Sequence, residues 1–366
     1  IVLDVNYSAS RSTHLPWNYT PANRNFISLA NAQKYGSAGL QTQVENPFQY
    51  LFTQVPGMPA PIFNLANSIY DQSTIPVSYL LQPYSQFAGG FSGFPPFAAN
   101  AFYNALNVSF EKRTSHGLSF MGHYTFSKFM DDSDEGGNAS WIGTLGQGEP
   151  QYLGDLALEK SISANDTPNR FVAAVVYDLP FGRGRAFASH INRALDAVFG
   201  GWTVGSVVTL QTGQPIHLSD SLGRFAGGSQ RASVYGNPRS SYSFDQIVNS
   251  GGSLSFFNFD PNHLECSDPQ HGAICDPGDQ QLGNAPRYNS NLRAPGIHNV
   301  DMSLSKRFTL RENMFLQLRG DFTNAFNTPR FGPPDAGFTD PSFGAISSLA
   351  YSSTPRQGTI ALRFEF

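Results

Sequence analysis

The stretch Gly358–Phe366, GTIALRFEF, closes the sequence, and its alternation decides how the remainder is read. Successive side chains of a strand point to opposite faces. Ile360, Leu362, Phe364 and Phe366 therefore share one face, and Thr359, Ala361, Arg363 and Glu365 share the other. A strand that ends on a phenylalanine with one wholly apolar face requires either a covering protein layer or surroundings that are not water.

Composition separates those two cases. Only 14% of the 366 residues are charged, against about 25% in soluble globular proteins. Hydrophobic residues make up 40% and 31 residues are Phe, yet mean hydropathy is −0.27. The apolar residues are diluted by Ser, Asn, Gln, Thr and Gly rather than by charge. No stretch approaches the ~20 consecutive apolar residues of a transmembrane helix. A net charge of −4 offers nothing to a nucleic-acid backbone. The choice lies between a soluble β protein and a transmembrane barrel, whose lipid face is spread over short alternating strands.

Working back from the end, eight segments show the period of two. They are Ile1–Ser8, NALNVSFEKR, LSFMGHYTFSK, RFVAAVVYDLPF, GWTVGSVVTLQTG, NVDMSLSKRF, MFLQLRGDF and the terminal strand. In NVDMSLSKRF, Val300, Met302, Leu304 and Phe308 oppose Asp301, Ser303, Ser305 and Arg307; in MFLQLRGDF, Leu316, Leu318 and Phe322 oppose Gln317, Arg319 and Asp321. The links alternate in length. Thr114–Gly117 and Thr309–Asn313 are of hairpin size, and residues 181–201 are of medium length with room for a short amphipathic helix. The other four, roughly 11–102, 129–168, 213–297 and 325–355, are far longer than connections inside compact domains. Counted back from Phe366 at the periplasmic side, every long link falls outside and every short one inside. That is the asymmetry of outer-membrane barrels. The expected fold is all-β, an antiparallel transmembrane β-barrel with long extracellular loops in the bacterial cell outer membrane. Ile360, Leu362 and Phe364 then meet outer-membrane lipid, Phe366 sits in the periplasmic aromatic girdle, and closure pairs the last strand with the first.

Five strings in order, LLQPYSQF, NALNVSFEKRTSHGLSFMGHYTFSKFMDD, NRFVAAVVYDLPFGRGR, GGWTVGSVVTLQTGQPI and QLRGDFTNAFNTPRFGPP, lead into that strand. Together they resemble the C-terminal part of the Oar-like TonB-dependent transporters, from about Leu80 onward. The resemblance implies a barrel of roughly 22 strands, filled by an N-terminal plug and preceded by a carboxypeptidase-regulatory-like domain and a TonB box. It implies uptake of a bulky solute, driven by the TonB complex through the parts upstream. Ile360, Leu362, Phe364 and Phe366 resemble the C-terminal signature that the barrel-assembly machinery recognises. Residues 1–366 contain no plug, TonB box or signal peptide, and the chain opens on Ile1 inside a strand. The expectation is that they form the C-terminal portion of the barrel domain, its last eight or so strands. A non-transporting surface protein, acting in adhesion or secretion, and a self-contained eight-stranded barrel are the alternatives.

Site chemistry is sparse. Cys266 and Cys275, the only cysteines, lie in the large external link 213–297, where an oxidising exterior favours a disulfide. A zinc site with His263 and His271 is the alternative, at a spacing that fits no strong zinc pattern. The acidic run Asp131–Gly137 lacks EF-hand spacing and reads as a loop base. Gly182 and Gly184 read as a periplasmic turn rather than a phosphate loop. His123 falls on the polar side of its strand. Neither a G-x-S-x-G elbow nor H-E-x-x-H occurs, so the chain is not expected to be an enzyme or to carry a cofactor. Arg307, Arg319, Asp321, Arg363 and Glu365 share the polar face of the last strands. They form either an ion-paired lumen wall that packs on the plug or a surface that touches substrate.

Overall fold

Eight long strands form where the hydrophobic residues recur at every second position. They are β1 Val2–Leu15, β2 Ala99–Ser115, β3 Leu118–Asp131, β4 Asn169–Asp178, β5 Trp202–Gln211, β6 Ile297–Arg311, β7 Met314–Thr323 and β8 Gln357–Glu365. Each pairs antiparallel with its neighbours in chain order, giving one continuous sheet. The computed structural model describes residues 1–15, 25–49, 69–87, 97–133, 150–222, 224–226, 228–311, 314–350 and 353–366.

Directly opposed residues share a face, and register carries one apolar face across the whole sheet. Leu316 and Leu318 of β7 oppose Phe364 and Leu362 of β8, and Phe308 and Lys306 of β6. Leu304 opposes Val204 of β5, and Val204 and Leu210 oppose Tyr177 and Phe171 of β4. Phe171 and Val175 oppose Tyr124 and Phe120 of β3. Tyr124 and Phe126 oppose Val108 and Leu106 of β2, which in turn oppose Val5 and Tyr7 of β1. The other face carries Asn6, Asn107, Thr125, Thr209, Ser303, Ser305 and Gln317 in the same register.

Several expected boundaries move. β1 continues to Leu15 and β2 begins at Ala99, so the first long link is shorter than 11–102. At 17 and 15 residues, β2 and β6 exceed the ~9–11 that a tilted strand needs to cross a bilayer. Polar side chains bridge neighbouring strands: Tyr7 Oη donates to Asn104 Oδ1 at 2.7 Å, and Thr125 Oγ1 to Asn107 Oδ1 at 2.9 Å. The β2–β3 link is a two-residue turn, because Ser115 already pairs with Leu118. His116 and Gly117 both take positive φ, 54° and 77°, as a hairpin turn matched to strand twist demands. Around the β6–β7 link, Arg311 pairs with Met314; Glu312 and Asn313 lie outside the described residues. The medium link holds a helix, α1, Arg193–Phe199, capped by Asn192, whose Oδ1 accepts the Leu195 N–H at 2.8 Å.

β1 and β8 are the two edges of the sheet, so the expected pairing of last strand with first is not formed.

At the long-link end the chain builds a second layer with its own core. Phe256, Phe257, Phe338 and Phe343 pack with ring centroids 4.5–5.2 Å apart, joined by Ile216, Leu218, Ile247 and Leu292. Residues of the third long link (212–296) and the fourth (324–356) share this cluster, and a short parallel contact, Ser219–Asp220 with Gly337–Phe338, joins the two links. From the first long link, the helix α2, Leu29–Leu40, buries Ala32 and Leu40 with Ile27 against Phe225 of the third. The long links thus fold together as a headpiece.

Candidate functional site

Arginines of the third link fasten the headpiece to the chain leaving β3. Arg231 pairs with Glu159, both side chains 1% exposed. Arg287 pairs with Asp131 at the end of β3, and Arg293 Nη2 lies 2.6 Å from Asp166 Oδ2. Charges buried this deeply are tolerated only when paired, and removing one partner typically costs about 3–5 kcal/mol. Gln151 completes the clamp. Its Oε1 accepts the N–H groups of Arg231 (3.1 Å) and Gly283 (2.9 Å), and its own N–H donates to Glu159 Oε1 at 2.9 Å. The first link joins through Asp279, whose Oδ2 accepts the Ser37 N–H at 2.9 Å.

At the outer end of the wall the polar face is covered. Ala105, Ser127, Gln211, Ile297 and Asn299 are buried, and register puts all of them on the polar face. Their apolar-face neighbours Leu106, Phe126, Leu210 and Leu304 are exposed. Cover over the outer end of the polar face, with the apolar face largely exposed, is the arrangement of a barrel with a wet lumen and a lipid-facing exterior.

Residues 1–358 match the family described as an outer membrane beta barrel domain. The chain belongs to that family. Comparison with curated proteins and with solved structures gave no match. The chain is accordingly a β-barrel domain of the bacterial outer membrane.

The charges expected in the lumen all lie on the polar face. Arg319 Nε sits 2.9 Å from Asp321 Oδ2, and Arg363 Nε 2.7 Å from Glu365 Oε1, each pair two residues apart along one strand. The Arg307 guanidinium stacks over the Phe315 ring, 3.3 Å from its centroid. His123 lies on the same face, opposite Ser109 and Val172. Ile360, Leu362, Phe364 and Phe366 are exposed along the apolar edge, with the Phe364 and Phe366 rings stacked at 5.8 Å.

Cys266 and Cys275 are disulfide-bonded, their Cα atoms 5.0 Å apart. Joined sulfurs leave no thiolate for a metal, and the two histidines are engaged elsewhere: His263 Nδ1 lies 2.6 Å from Asp268 Oδ2, and His271 Nδ1 lies 2.6 Å from the Gly272 carbonyl. The hydrogen bond to Asp268 raises the His263 pKa. The acidic run is more than a solvated loop base. Asp131 holds Arg287, and Asp132 Oδ1 accepts the Asn100 N–H at 2.7 Å; Asp134–Gly137 lie outside the described residues. Gly182 and Gly184 take positive φ in the β4–β5 link, consistent with a turn.

Two important side chains escape the sequence reading. Lys306 falls on the apolar parity of β6 between Leu304 and Phe308, a signal present in the alternation itself. His217 gives no such sign. It is buried in the headpiece, its Nδ1–H donating to the Arg287 carbonyl at 2.7 Å. Burial pushes its pKa down to about 4, assisted by the charges of Arg231 and Arg287 and opposed by the hydrogen bond.

Proposed function

We propose that residues 1–366 are the C-terminal portion of the barrel of an Oar-like, TonB-dependent outer-membrane receptor that imports a bulky solute. The observation that carries this reading is the headpiece seated over the polar face, above a wall bearing Arg307, Arg319, Asp321, Arg363 and Glu365. Such a cover presents a rigid ligand-facing surface outside and a charged, wet surface beneath it for a plug to pack on. The two edges at β1 and β8 suit a wall continued by further strands. In this reading the chain performs no catalysis and needs no cofactor. Its partners are outer-membrane lipid, the barrel-assembly machinery acting on Ile360–Phe366, the solute, and the TonB complex through upstream parts.

The test is cross-linking of the natural full-length protein in intact cells, read by mass spectrometry together with the upstream reading frame. A plug, a TonB box and cross-links from that region to TonB are expected. A leader peptide directly before Ile1, without any TonB link, would overturn import and leave a surface receptor or a self-contained eight-stranded barrel.

A further inference from the structure

The link between β4 and β5, residues 179–201, carries chemistry that import does not use. At seven residues, α1 is too short to be stable by itself, so its position depends on what holds it. Two side chains of the apolar face do so, and they are directly opposed in register, Lys306 and Trp202. Lys306 Nζ donates to the carbonyls of Asp196 (3.1 Å) and Gly200 (2.5 Å), and Trp202 Nε1 donates to that of Val198 at 2.8 Å. A cation at a helix C-terminus meets the negative end of the dipole. Both anchors rise from the lipid side, so α1 lies against the lipid side of the wall at its periplasmic end.

The outward surface of this ledge is amphipathic. Leu195, Val198 and Phe199, spaced as one helix face, are 46%, 57% and 62% exposed. The exposed Phe181 and Phe187 pair at 5.4 Å. Arg183, Arg185 and Arg193 are exposed around them. The one carboxylate of the segment, Asp196, is turned inward, its Oδ1 accepting the Arg183 N–H at 2.8 Å. The segment is therefore basic in a chain whose net charge is −4. An apolar helix face flanked by arginines beside a lipid-facing wall is the chemistry of an interfacial anchor for an anionic bilayer.

We propose that residues 181–199 bind anionic glycerophospholipid of the periplasmic leaflet. Leu195, Val198 and Phe199 enter the upper acyl region, and Arg183, Arg185 and Arg193 meet headgroup phosphates. The proposal rests on the outer-membrane location and is independent of the transport reading.

The test uses the full-length protein in nanodiscs, with Phe199→Trp as a reporter and the parent protein subtracted to remove the signal of the natural tryptophans. Brominated phosphatidylglycerol, mixed into phosphatidylcholine, is expected to quench the reporter about fivefold more than brominated phosphatidylcholine at equal content, the enrichment given by roughly one basic contact. The variant R183Q/R185Q/R193Q should bring the ratio near one while barrel heat-modifiability stays normal. Native mass spectrometry of the unmodified protein gives a second readout, as retained phosphatidylglycerol. Equal quenching by both lipids together with no retained phosphatidylglycerol would show an apolar seat without headgroup recognition. Quenching by neither lipid would place the ledge against a periplasmic protein or water. Either result overturns the proposal.

Discussion

A single substitution site can report on which side of the wall meets lipid. Leu318 lies opposite Leu362 and Lys306 on the apolar face, and its neighbour Gln317 opposes Arg363 and Arg307 on the polar face. An arginine at the bilayer midplane of a lipid face costs about 2–4 kcal/mol, and far less in a wet lumen. Leu318→Arg should impair assembly of the full-length protein and Gln317→Arg should be tolerated, both scored by heat-modifiability on gels. The reverse order would mean that the faces are inverted. His217 makes a prediction of a different kind. Its folded pKa of about 4 lies below the ordinary 6.5, so between those values the unfolded headpiece binds a proton that the folded one does not. The stability contributed is fully present above about pH 6.5 and falls as pH drops toward 4, by at most roughly 3 kcal/mol. Protease resistance of the headpiece should therefore decline between pH 7 and 5, and His217→Gln should flatten that decline. An unchanged slope in the variant would remove His217 as its source.

Among the elements, wall and headpiece draw on different sources of stability. The wall depends on backbone pairing along eight strands and on lipid against its bare face. The headpiece depends on a phenylalanine-rich core, buried ion pairs and the Cys266–Cys275 bond, which closes a short loop ending at the buried Cys275, paired there with Ser233. By the chain-entropy estimate, such a loop contributes about 2–3 kcal/mol. Cys266→Ser with Cys275→Ser should lower the resistance of residues 212–296 to limited proteolysis without altering barrel heat-modifiability. Loss of both together would mean that the headpiece is required for the wall to form.

For the whole molecule, the partners of the edges at β1 and β8 set the size of the barrel. Exposed strand edges carry unpaired backbone groups that have no place in lipid. Closure onto each other would give a small barrel; pairing with further strands would give the larger wall proposed above. A cysteine at Leu362, tested in the full-length protein against cysteines at Leu3, Val5 and Tyr7, distinguishes the two. No cross-link is expected at any of these pairs. Efficient cross-linking at one would establish an eight-stranded cylinder and exclude the larger barrel.

The strands were legible because their signal is local. Alternation within nine residues such as Gly358–Phe366 fixes which side chains share a face, and a one-residue slip would reverse every one of them. The eight segments, their order and the parity of Arg319, Asp321, Arg363 and Glu365 follow from the sequence alone. Even Lys306 stood in the alternation, as a charge on the wrong parity, although nothing local said that the carbonyls of α1 would receive it. The ends of β1 and β2 were less legible, since above the bilayer polar side chains occupy both faces and the period fades. Of the headpiece, little beyond the Cys266–Cys275 bond could be read. Its clamp joins Arg231 to Glu159, 72 residues away, and Arg287 to Asp131, 156 residues away, and no periodicity marks either partner. The many phenylalanines suggest lipid contact by composition, but Phe256, Phe257, Phe338 and Phe343 instead meet one another in a water-facing core. The sequence by itself determined the wall, because one solvent acts on each face of a strand and imprints a period of two. Only the tertiary structure decided the headpiece, because its residues are selected by partners distant in the chain.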